Sequence, residues 1–551
     1  IEVEKSGAIK YNGVSINKFY IEGRDMLEGR YSLATENMHQ KDVGSVEVME
    51  NHQPIKALED ISFSNNPAIN IRLKEDAKAR WVGTVNVGTG FEPILWNAEL
   101  FAMRFTPKAQ TLNTYKTNNT GVDIVRETRQ FSVDDLLSQF SKNYTLSNYI
   151  NIRPNYLTDI DAHRARFNKS HLFSTNNLWA IADNIDLTSQ VSYTNNRLNS
   201  DNFSKTTYFL IDSTIVTDIG QSSLSKQNRL SADFTLTNNK SSYYLKNKLN
   251  ADIYWDDVTM DITGSFPNRQ EGSVPERRVS NDLEMLSRSG TRTFTINSFN
   301  LYQAKPQHLV ITREESQQQQ VHSSAFYTNT NTSLGFYINP VNISMKMGII
   351  GVIRDMESEL TGVSDTLGRL SNDISMQYLN LYLSPQAEFK KDGFEARFDM
   401  PVSFTPYRYN NKLSDTKETV SKFLVSPRLS MRYFITTRLS ASLSGSLSQS
   451  PVDEQQFYDG LLLTNYRNLS LGYVDYSTAT QKSVSAGISY RNAIKSLFGN
   501  VSAVRSWNKS VRASNRSFIN EFILNSYVPQ SSHSGVWMLN GSFSKGLDFI
   551  R

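Results

Sequence analysis

Residues 379–404 read LNLYLSPQAEFKKDGFEARFDMPVSF and contain two runs of alternating side chains around a tight turn. From Leu379 to Phe389 every second residue is apolar or proline, and the residues between them are mostly polar or charged. From Phe394 to Phe404 every second residue is again apolar, with mostly charged residues between. Because successive side chains of a strand point to opposite faces, this stretch predicts two antiparallel strands, each with one apolar and one polar face.

The turn between these strands is Lys391-Asp392-Gly393, in which Asp-Gly supplies the positive φ that a tight hairpin requires. Similar hairpins are predicted around Asn238-Asn239-Lys240 and Thr436-Thr437. Two prolines on apolar strand faces, Pro385 and Pro427, remove ladder hydrogen bonds, so we expect them near bulges or rims.

Segments of this kind follow one another from Ala79 to the end of the chain, about eighteen to twenty in all. Short turns alternate with long polar connections, a pattern typical of outer-membrane barrels, with periplasmic turns and extracellular loops. The long loops are predicted at Asn118 to Arg166, Asp256 to Asn281, Arg313 to Ser323 and Asn410 to Ser421.

The composition excludes several classes of protein. The 551 residues contain no cysteine, which excludes disulfides, thiolate metal sites and cysteine nucleophiles. The 58 basic and 54 acidic residues are interspersed, which argues against a nucleic-acid partner. The longest apolar stretch, Met347 to Ile353, is far shorter than the ~20 residues of a membrane helix.

The strands indicate a membrane barrel rather than the alternative, a soluble protein with several sheets. They are longer than soluble strands, which centre near ~5–6 residues. Their charged residues lie on one face, and an Arg or Lys at the bilayer midplane would cost about 2–4 kcal/mol on the other face. We therefore predict a large antiparallel transmembrane β-barrel in the bacterial outer membrane, with a wet lumen that needs a plug.

The first part of the chain differs from the rest. Residues 1–78 contain short apolar clusters separated by polar turns, which predicts a small mixed α/β unit. Residues 79–551 form the predicted barrel. The fold class is therefore mostly β, with an N-terminal α/β unit inside the lumen.

Three segments of the N-terminal unit carry a family resemblance. They are FYIEGRD at 19–25, DVGSVEVM at 42–49 and AINIRLK at 68–74. In this order and spacing they resemble the plug domain of TonB-dependent outer-membrane receptors. The segment between them, Glu50 to Leu58, departs from the common plug pattern and resembles a variant frequent in Bacteroidetes.

The resemblance implies active import without chemistry on the ligand, and so not an enzyme. It implies that the plug closes the lumen while an inner-membrane complex, using the proton gradient, pulls on it through a TonB-type energy-coupling protein. Outer-membrane lipid is a further implied partner, and a surface lipoprotein is a possible one. Since the family has 22 strands and a coupling box upstream, we expect residues 1–78 to be the C-terminal part of a plug. The barrel then holds about 18–20 strands and lacks the last strand or strands after Arg551.

No catalytic, cofactor-binding or metal-binding residue is predicted, and the ligand-binding residues are unknown. His39, His52, His163 and His171 lack the spacing of a helical metal motif. The acidic pairs Asp134-Asp135 and Glu314-Glu315 are expected to be solvated loop residues. Glu276, Arg277 and Arg278 are placed in a long loop, where they either contact a charged ligand or are merely solvated.

Two other functions remain open from the sequence. One is a surface adhesin or structural barrel whose loops bind a partner and transport nothing. The other is a passive porin, against which the plug-like segment argues.

Overall fold

The computed structural model describes residues 2–3, 8–11, 14–35, 37–59, 66–125, 144–153, 162–209, 214–290, 292–451, 453–492 and 494–546. Its N-terminal strands are β1 (Glu2–Val3), β2 (Ile9–Tyr11), β3 (Val14–Ser15), β4 (Lys18–Ile21), β5 (Val43–Met49) and β6 (Ala68–Leu73). A short helix spans Ser32–Thr35, and 3-10 turns span Gln40–Asp42, Lys56–Leu58 and Glu75–Ala77. This N-terminal unit is called the plug below.

The three resemblance segments form one sheet of the plug. Strand β6 lies in the centre, parallel to β4 and antiparallel to β5. The turn after β4 has positive φ at Glu22 and Gly23, and the Gly23 N–H donates to Asn70 Oδ1 (2.9 Å). The Leu73 N–H donates to Glu22 Oε1 (2.6 Å), so the Glu-Gly turn is hydrogen-bonded to the central strand at both residues.

The rest of the chain forms a large antiparallel sheet curled into a barrel. Its segments are β7 (Val82–Gly90), β8 (Leu95–Phe105), β9 (Ala109–Asn118), β10 (Phe167–Ala182), β11 (Ile185–Phe209), β12 (Thr214–Asn239), β13 (Tyr243–Gly264), β14 (Asn268–Ser273), β15 (Glu276–Ser289), β16 (Arg292–Thr312), β17 (Ser316–Ile338), β18 (Val341–Thr361), β19 (Ser371–Lys391), β20 (Phe394–Asp399), β21 (Val402–Asn411), β22 (Thr416–Val425), β23 (Arg428–Phe434), β24 (Leu439–Pro451), β27 (Thr478–Asn492), β28 (Leu497–Ser510) and β31 (Ser532–Lys545).

Shorter elements lie in the connections. Strands β25 (Leu462–Leu463), β26 (Asn468–Ser470), β29 (Ala513–Ile519) and β30 (Phe522–Val528) form a separate four-stranded sheet in the order β25-β26-β30-β29. A short helix spans Ala162–Ala165, and 3-10 turns span Asp365–Leu367 and Glu454–Gln456. In the described part of the chain, no helix has both the length and the apolar character needed to cross a membrane.

The barrel agrees with the predicted strand number. Three crossings of the wall are each built from two segments. Segments β14 and β15 both pair with β13 and β16, and segments β20 and β21 both pair with β19. Segments β22 and β23 form the third crossing, because they pair with β21 and β20, the two segments of one crossing. The 21 segments of the sheet therefore amount to 18 crossings in the described residues. The mostly β fold and the antiparallel barrel are confirmed.

Prolines mark the interruptions in the wall. The break between β20 and β21 contains Pro401, and that between β22 and β23 contains Pro427. Pro385 lies opposite the first break, where its carbonyl accepts the Met400 N–H (3.1 Å). The Pro401 carbonyl accepts the Ser426 N–H (2.9 Å). The missing proline N–H groups are thus gathered in one irregular patch, as expected for Pro385 and Pro427.

Three of the four predicted long loops are wrong. Strands β13 and β14 leave only residues 265–267 between them, β16 and β17 only 313–315, and β21 and β22 only 412–415. The outward face of these strand ends is polar, whereas luminal residues such as Met260, Ile262 and Leu309 are apolar and buried. The apolar face is therefore the inner one here, the reverse of the belt, so these ends do not match the pattern of the strands that they extend.

Strand β18 shows where the apolar belt of the barrel ends. Its outward residues are apolar from Ile343 to Ile353, then become Asp355, Glu357 and Glu359. The residues between them, such as Arg354, are buried on the luminal side. At ~3.3 Å per residue and a tilt of ~35–45°, the apolar stretch spans about 25 Å, the height of the lipid-facing band of such barrels.

The junction between β31 and β7 differs from the other junctions of the wall. The two strands are neighbours in the ring order, yet no residue-by-residue pairing joins them in the described residues. All 14 residues of β31 are exposed. On the outward face Val87 is 75% and Leu539 77% exposed, against 44% for Ile349 in the middle of the wall. Completion of the ring by further strands stays a prediction.

A charge placed within the apolar belt should destabilise the barrel. Ile349→Arg puts a cation in mid-belt, so we expect a loss of about 2–4 kcal/mol in the free energy of unfolding in lipid vesicles. The matched control is Thr361→Arg, at the outer end of the same strand, where the cost should be at most ~1 kcal/mol. Heat-modifiable migration in gels reports the folded fraction, and equal losses for both variants would contradict the belt.

Candidate functional site

The plug lies in the lumen and shares its core with the wall. Phe19, Leu27 and Tyr31 of the plug belong to one buried apolar cluster with wall residues such as Met103 and Leu178. These wall residues alternate along their strands with exposed outward residues. Burial of apolar surface in this cluster stabilises the seated plug by about 25 cal/mol for each Å² that is removed from water.

Ion pairs join the plug to the wall across the lumen. Arg30 pairs with Asp233, whose side chain is 2% exposed, and Arg24 pairs with Asp186. Lys248 Nζ lies 3.4 Å from Glu28 Oε2 and 3.5 Å from Asp233 Oδ1. Arg30 and Glu28 of the plug therefore form one buried network with Asp233 and Lys248 of the wall.

The network keeps Glu28 ionised. Burial alone would raise its pKa, but Lys246, Lys248 and Lys18 outweigh burial and lower the pKa well below its usual range. Because the pKa of Glu28 is lower in the folded protein, its ion pairing stabilises the fold fully at pH values above the unfolded pKa near 4.5. This stabilisation is lost only as the pH falls toward the folded pKa. The plug contact is therefore charged throughout neutral and mildly acidic conditions.

Wall amides hold the plug backbone. Gln110 Nε2 donates to the Ile21 carbonyl (3.2 Å), and Gln190 Nε2 donates to the Met26 carbonyl (2.8 Å). At the short-turn end of the barrel, Asn239 Nδ2 donates to the Pro54 carbonyl (2.9 Å). There Lys56 Nζ also donates to Asn184 Oδ1 (2.8 Å), in the turn between β10 and β11. The plug segment Glu50 to Leu58, which departs from the common plug pattern and is called the variant segment here, is thus fixed to the rim of the barrel.

The network should control how firmly the plug is seated. Asp233→Asn leaves the buried Arg30 without its carboxylate, and breaking a buried pair in this way costs about 3–5 kcal/mol. We expect faster hydrogen exchange in residues 18–35 and larger conductance through the barrel in planar bilayers. Asp252→Asn is the control, because its pair with Arg229 (2.8 Å) lies within the wall. Equal effects of both variants would contradict a role in seating.

The opposite end of the lumen is occupied by two inward-folded segments, residues 144–153 and 453–477, named here the luminal cap. Alternate luminal residues of β16 bind the first segment. Gln303 Oε1 accepts the Leu146 N–H (3.0 Å), and Gln307 Oε1 accepts the Tyr149 N–H (2.8 Å). Between them Lys305 Nζ donates to the Leu146 carbonyl (2.9 Å). The segment is therefore held along its backbone.

Arg354 connects the two cap segments. Its side chain is 1% exposed, and it donates to Tyr149 Oη (2.6 Å) and to the Glu454 carbonyl (2.7 Å). Burial raises the pKa of the Glu454 carboxyl, although the backbone hydrogen bond and Arg354 act to lower it. One wall cation thus bridges segments that are about 300 residues apart in sequence.

The second cap segment is fixed by wall amides. The Gly460 N–H donates to Asn372 Oδ1 (2.7 Å), and the Leu463 N–H donates to Gln319 Oε1 (2.8 Å). The two segments also meet directly, since the Asn151 N–H donates to the Thr464 carbonyl (2.8 Å).

Aromatic rings line the contact between cap and wall. Tyr144 stacks on Tyr327 at 5.5 Å between ring centroids, and Tyr407 lies 6.1 Å from Tyr476. Phe457 meets Tyr476 edge to face at 5.4 Å. Aromatic rings and amides can hold a ligand by van der Waals contact and hydrogen bonding, without making or breaking covalent bonds in it. Within the described ranges, no three His, Asp or Glu side chains are grouped to hold a metal.

The structure relocates the residues that the sequence placed in a loop. Glu276, Arg277 and Arg278 belong to β15, so the loop prediction is wrong for them. Glu276 and Arg278 face the lumen, where Glu276 Oε2 lies 2.9 Å from Lys305 Nζ and Arg278 Nη1 donates to the Tyr144 carbonyl (3.5 Å). Arg277 alternates with them and faces outward. Two of the three therefore contact the cap and the wall beneath it.

The histidines and acidic pairs are not brought together. His39 caps a 3-10 turn, His52 bonds Tyr20 Oη (2.8 Å) in the plug, and His171 bonds Tyr115 Oη (3.1 Å) on the wall. Burial, and then Lys18, lowers the pKa of His52. Glu314-Glu315 lie in the turn after β16, whereas Asp134-Asp135 and the His163 side chain lie outside the described residues.

The sequence did not predict the cap, because the long loops were expected to be polar and solvated. A signal is present in residues 144–152, where Tyr144, Leu146, Ile150 and Ile152 share one parity, and in Leu461-Leu462-Leu463. Such apolar spacing predicts a buried extended segment. Arg354 carries no comparable signal, because an arginine inside an alternating strand reads as an ordinary wet-face residue.

Comparison with known proteins gives structural matches only. No protein-family model and no curated protein matches the chain. Solved structures of uptake receptors and transporters, among them an outer-membrane receptor, match nearly its whole length. The ferric yersiniabactin uptake receptor FyuA from Yersinia pestis is 8% identical, with a TM-score of 0.33 over 97% of this chain and 92% of that one.

Two further solved structures match this chain at similarly low sequence identity. FpvA of P. aeruginosa, solved with a bound pyoverdine–iron complex, is 11% identical, with a TM-score of 0.33 over 97% of this chain and 80% of that one. The copper transporter OprC is 8% identical, with a TM-score of 0.32 over 95% and 81%. The plug inside a large antiparallel barrel is itself the architecture that the sequence resemblance predicted.

Removing the cation that joins the cap segments should loosen them. Arg354→Met deletes two hydrogen bonds from a charged donor, each worth about 1.5–3 kcal/mol, so hydrogen exchange in 144–153 should accelerate at least about tenfold. Arg369→Met is the control, since its pair with Asp459 of the cap is 38% and 42% exposed and should contribute at most ~1 kcal/mol. Unchanged exchange in the Arg354 variant, with the barrel still folded, would contradict the bridging role.

Proposed function

We propose that this protein imports a ligand across the bacterial outer membrane, with the plug as its gate. The force comes from the inner-membrane proton gradient, delivered by a TonB-type coupling protein. The observation that carries this proposal is the folded plug inside the barrel, held by the buried network of Arg30, Asp233, Lys248 and Glu28.

The seated plug argues for energised transport rather than passive flow. A porin needs an open aqueous channel, whereas here the plug shares an apolar core with the wall and pairs its charges there. Breaking one buried pair costs about 3–5 kcal/mol, so spontaneous displacement of the whole plug is rare. Work applied to the plug from the short-turn end can supply this energy, because the variant segment is attached to that rim.

The wall supports the membrane location. An apolar belt of about 25 Å on β18 ends in three acidic residues, as lipid contact followed by water requires. The luminal cap is then on the extracellular side, where a ligand enters. Rings and amides in the cap suit binding and release, and the proposal requires no reaction of the ligand.

The partners and domain limits follow from the same proposal. Residues 1–78 act as the C-terminal part of the plug, and the coupling protein engages a segment upstream of it. Further strands complete the wall between β31 and β7. A surface lipoprotein that delivers the ligand is compatible with the cap but is not needed for the gate.

Uptake measurements test import. Cells that produce the protein should accumulate one member of a panel of labelled siderophores, vitamin-like cofactors, glycans and peptides. Accumulation should disappear when the coupling protein is deleted or the proton gradient is dissipated. Uptake that persists after decoupling would overturn the importer, and binding without any uptake would favour the adhesin.

A cross-link tests the gate directly, using the absence of native cysteine. Lys56→Cys with Asn184→Cys places two thiols where plug and rim are hydrogen-bonded. Joining them with a short bifunctional maleimide should abolish uptake and leave ligand binding at the cell surface unchanged. Each single-cysteine variant, treated in the same way, is the control. Undiminished uptake through the cross-linked protein would show that this end of the plug need not move.

A further inference from the structure

Three basic side chains form a row on the outward face of the wall. Lys169 of β10 stands directly opposite Arg197 of β11, and Arg197 stands opposite Lys226 of β12. All three are exposed and alternate with luminal residues of their strands. Neighbouring strands lie ~4.7–4.9 Å apart, so the row brings three cations within about 10 Å along the ladder.

Such a row is unfavourable by itself. Like charges directly opposite each other in a sheet repel and destabilise the pair. None of the three makes an ion pair or side-chain hydrogen bond with another described residue. By contrast Arg269, another exposed arginine on the outward face, lies 2.9 Å from Glu271 and 3.5 Å from Asp261. At one end of the row, Asp257 of β13 stands opposite Lys226. The repulsion between Lys169 and Arg197 has no such neighbour within the row, and an anion from outside the chain would relieve it.

A cavity adjoins the row. Its volume is about 390 Å³, and its lining includes Lys169, Arg197 and two more arginines, Arg164 and Arg166. Among the described residues, one carboxylate approaches these cations, since Asp123 Oδ2 lies 3.6 Å from Arg166 Nη1. The described lining of the cavity therefore has a positive excess, and the volume suits a headgroup rather than a single small ion.

The row lies just beyond the apolar belt. On β11 the outward residues from Ile185 to Tyr193 are mostly apolar and are followed by Asn195 and Arg197. On β12 the same face is apolar from Leu236 to Leu230, followed by Asn228 and Lys226. Two exposed apolar side chains, Ile94 (72%) and Phe167 (66%), also line the cavity, on the side away from the belt. Cations above an apolar surface match a lipid with its phosphate above its acyl chains.

We propose that Lys169, Arg197 and Lys226, with the adjoining arginine cavity, bind the phosphorylated headgroup of an outer-leaflet lipid. The phosphate lies between the cations of neighbouring strands, and the acyl chains lie along the belt below. This site rests on the proposed membrane location, but it is independent of import, because it is on the outside of the wall and contacts neither plug nor cap.

Lipid titrations of the purified full chain in neutral detergent, followed by native mass spectrometry, test the site. The probes are diphosphoryl lipid A, the same lipid without phosphates, and inorganic phosphate as competitor. Lys169→Gln, Arg197→Gln and Lys226→Gln together should weaken binding of the diphosphoryl lipid about a hundredfold and flatten its salt dependence. The dephosphorylated lipid should bind weakly and equally to both proteins.

The control variant is Arg269→Gln, whose charge is already paired, and it should bind like the parent chain. Lys169→Arg with Lys226→Arg should retain binding, and heat-modifiable migration verifies that every variant folds. Equal lipid binding by the triple variant would overturn the site. Displacement of the lipid by inorganic phosphate at equal concentration would also overturn it, because the pocket would then take free anions. Because uptake is not measured, a failed importer leaves this result standing.

Discussion

The constraint on which the structure depends is that backbone polar groups in lipid must find partners within the protein. Each unpaired group there costs several kcal/mol, so strands that cross a bilayer must pair with one another in a sheet that curls on itself. The long registers from β9 to β28 satisfy this requirement residue by residue. Even the proline patch obeys it, because the irregular groups around Pro385 and Pro401 bond to one another.

Curling the sheet creates a lumen that 18 crossings are too many to fill with wall side chains. The chain fills it from both ends, and buried charges and wall amides hold both fillings. Arg30 with Asp233 and Gln190 hold the plug. Arg354 and Gln307 hold the cap, to which aromatic rings add further contacts. Buried charge pairs are costly to break singly, whereas amide contacts can be exchanged one at a time.

Much of this fold can be predicted from the sequence, because alternation is a local signal. The hairpin at Asp392-Gly393 is present with positive φ at both residues, and the three plug segments share one sheet. The outer strand ends were missed because their outward face is polar and their apolar residues, such as Met260 and Leu309, face the cap inside the lumen. The cap and Arg354 were missed for another reason. Their contacts join residues hundreds of positions apart, and no local pattern reports which loop folds inward.

Strand β18 continues for several residues beyond Ile353, and Arg354 lies at that level on its inner face. In the proposed membrane location, the barrel extends beyond the apolar belt as a collar, and the cap is fastened where the collar begins. Outward-facing residues of the collar need not be apolar, unlike those of the belt below. Selection can thus alter what the mouth of the barrel accepts without impairing its insertion into the membrane.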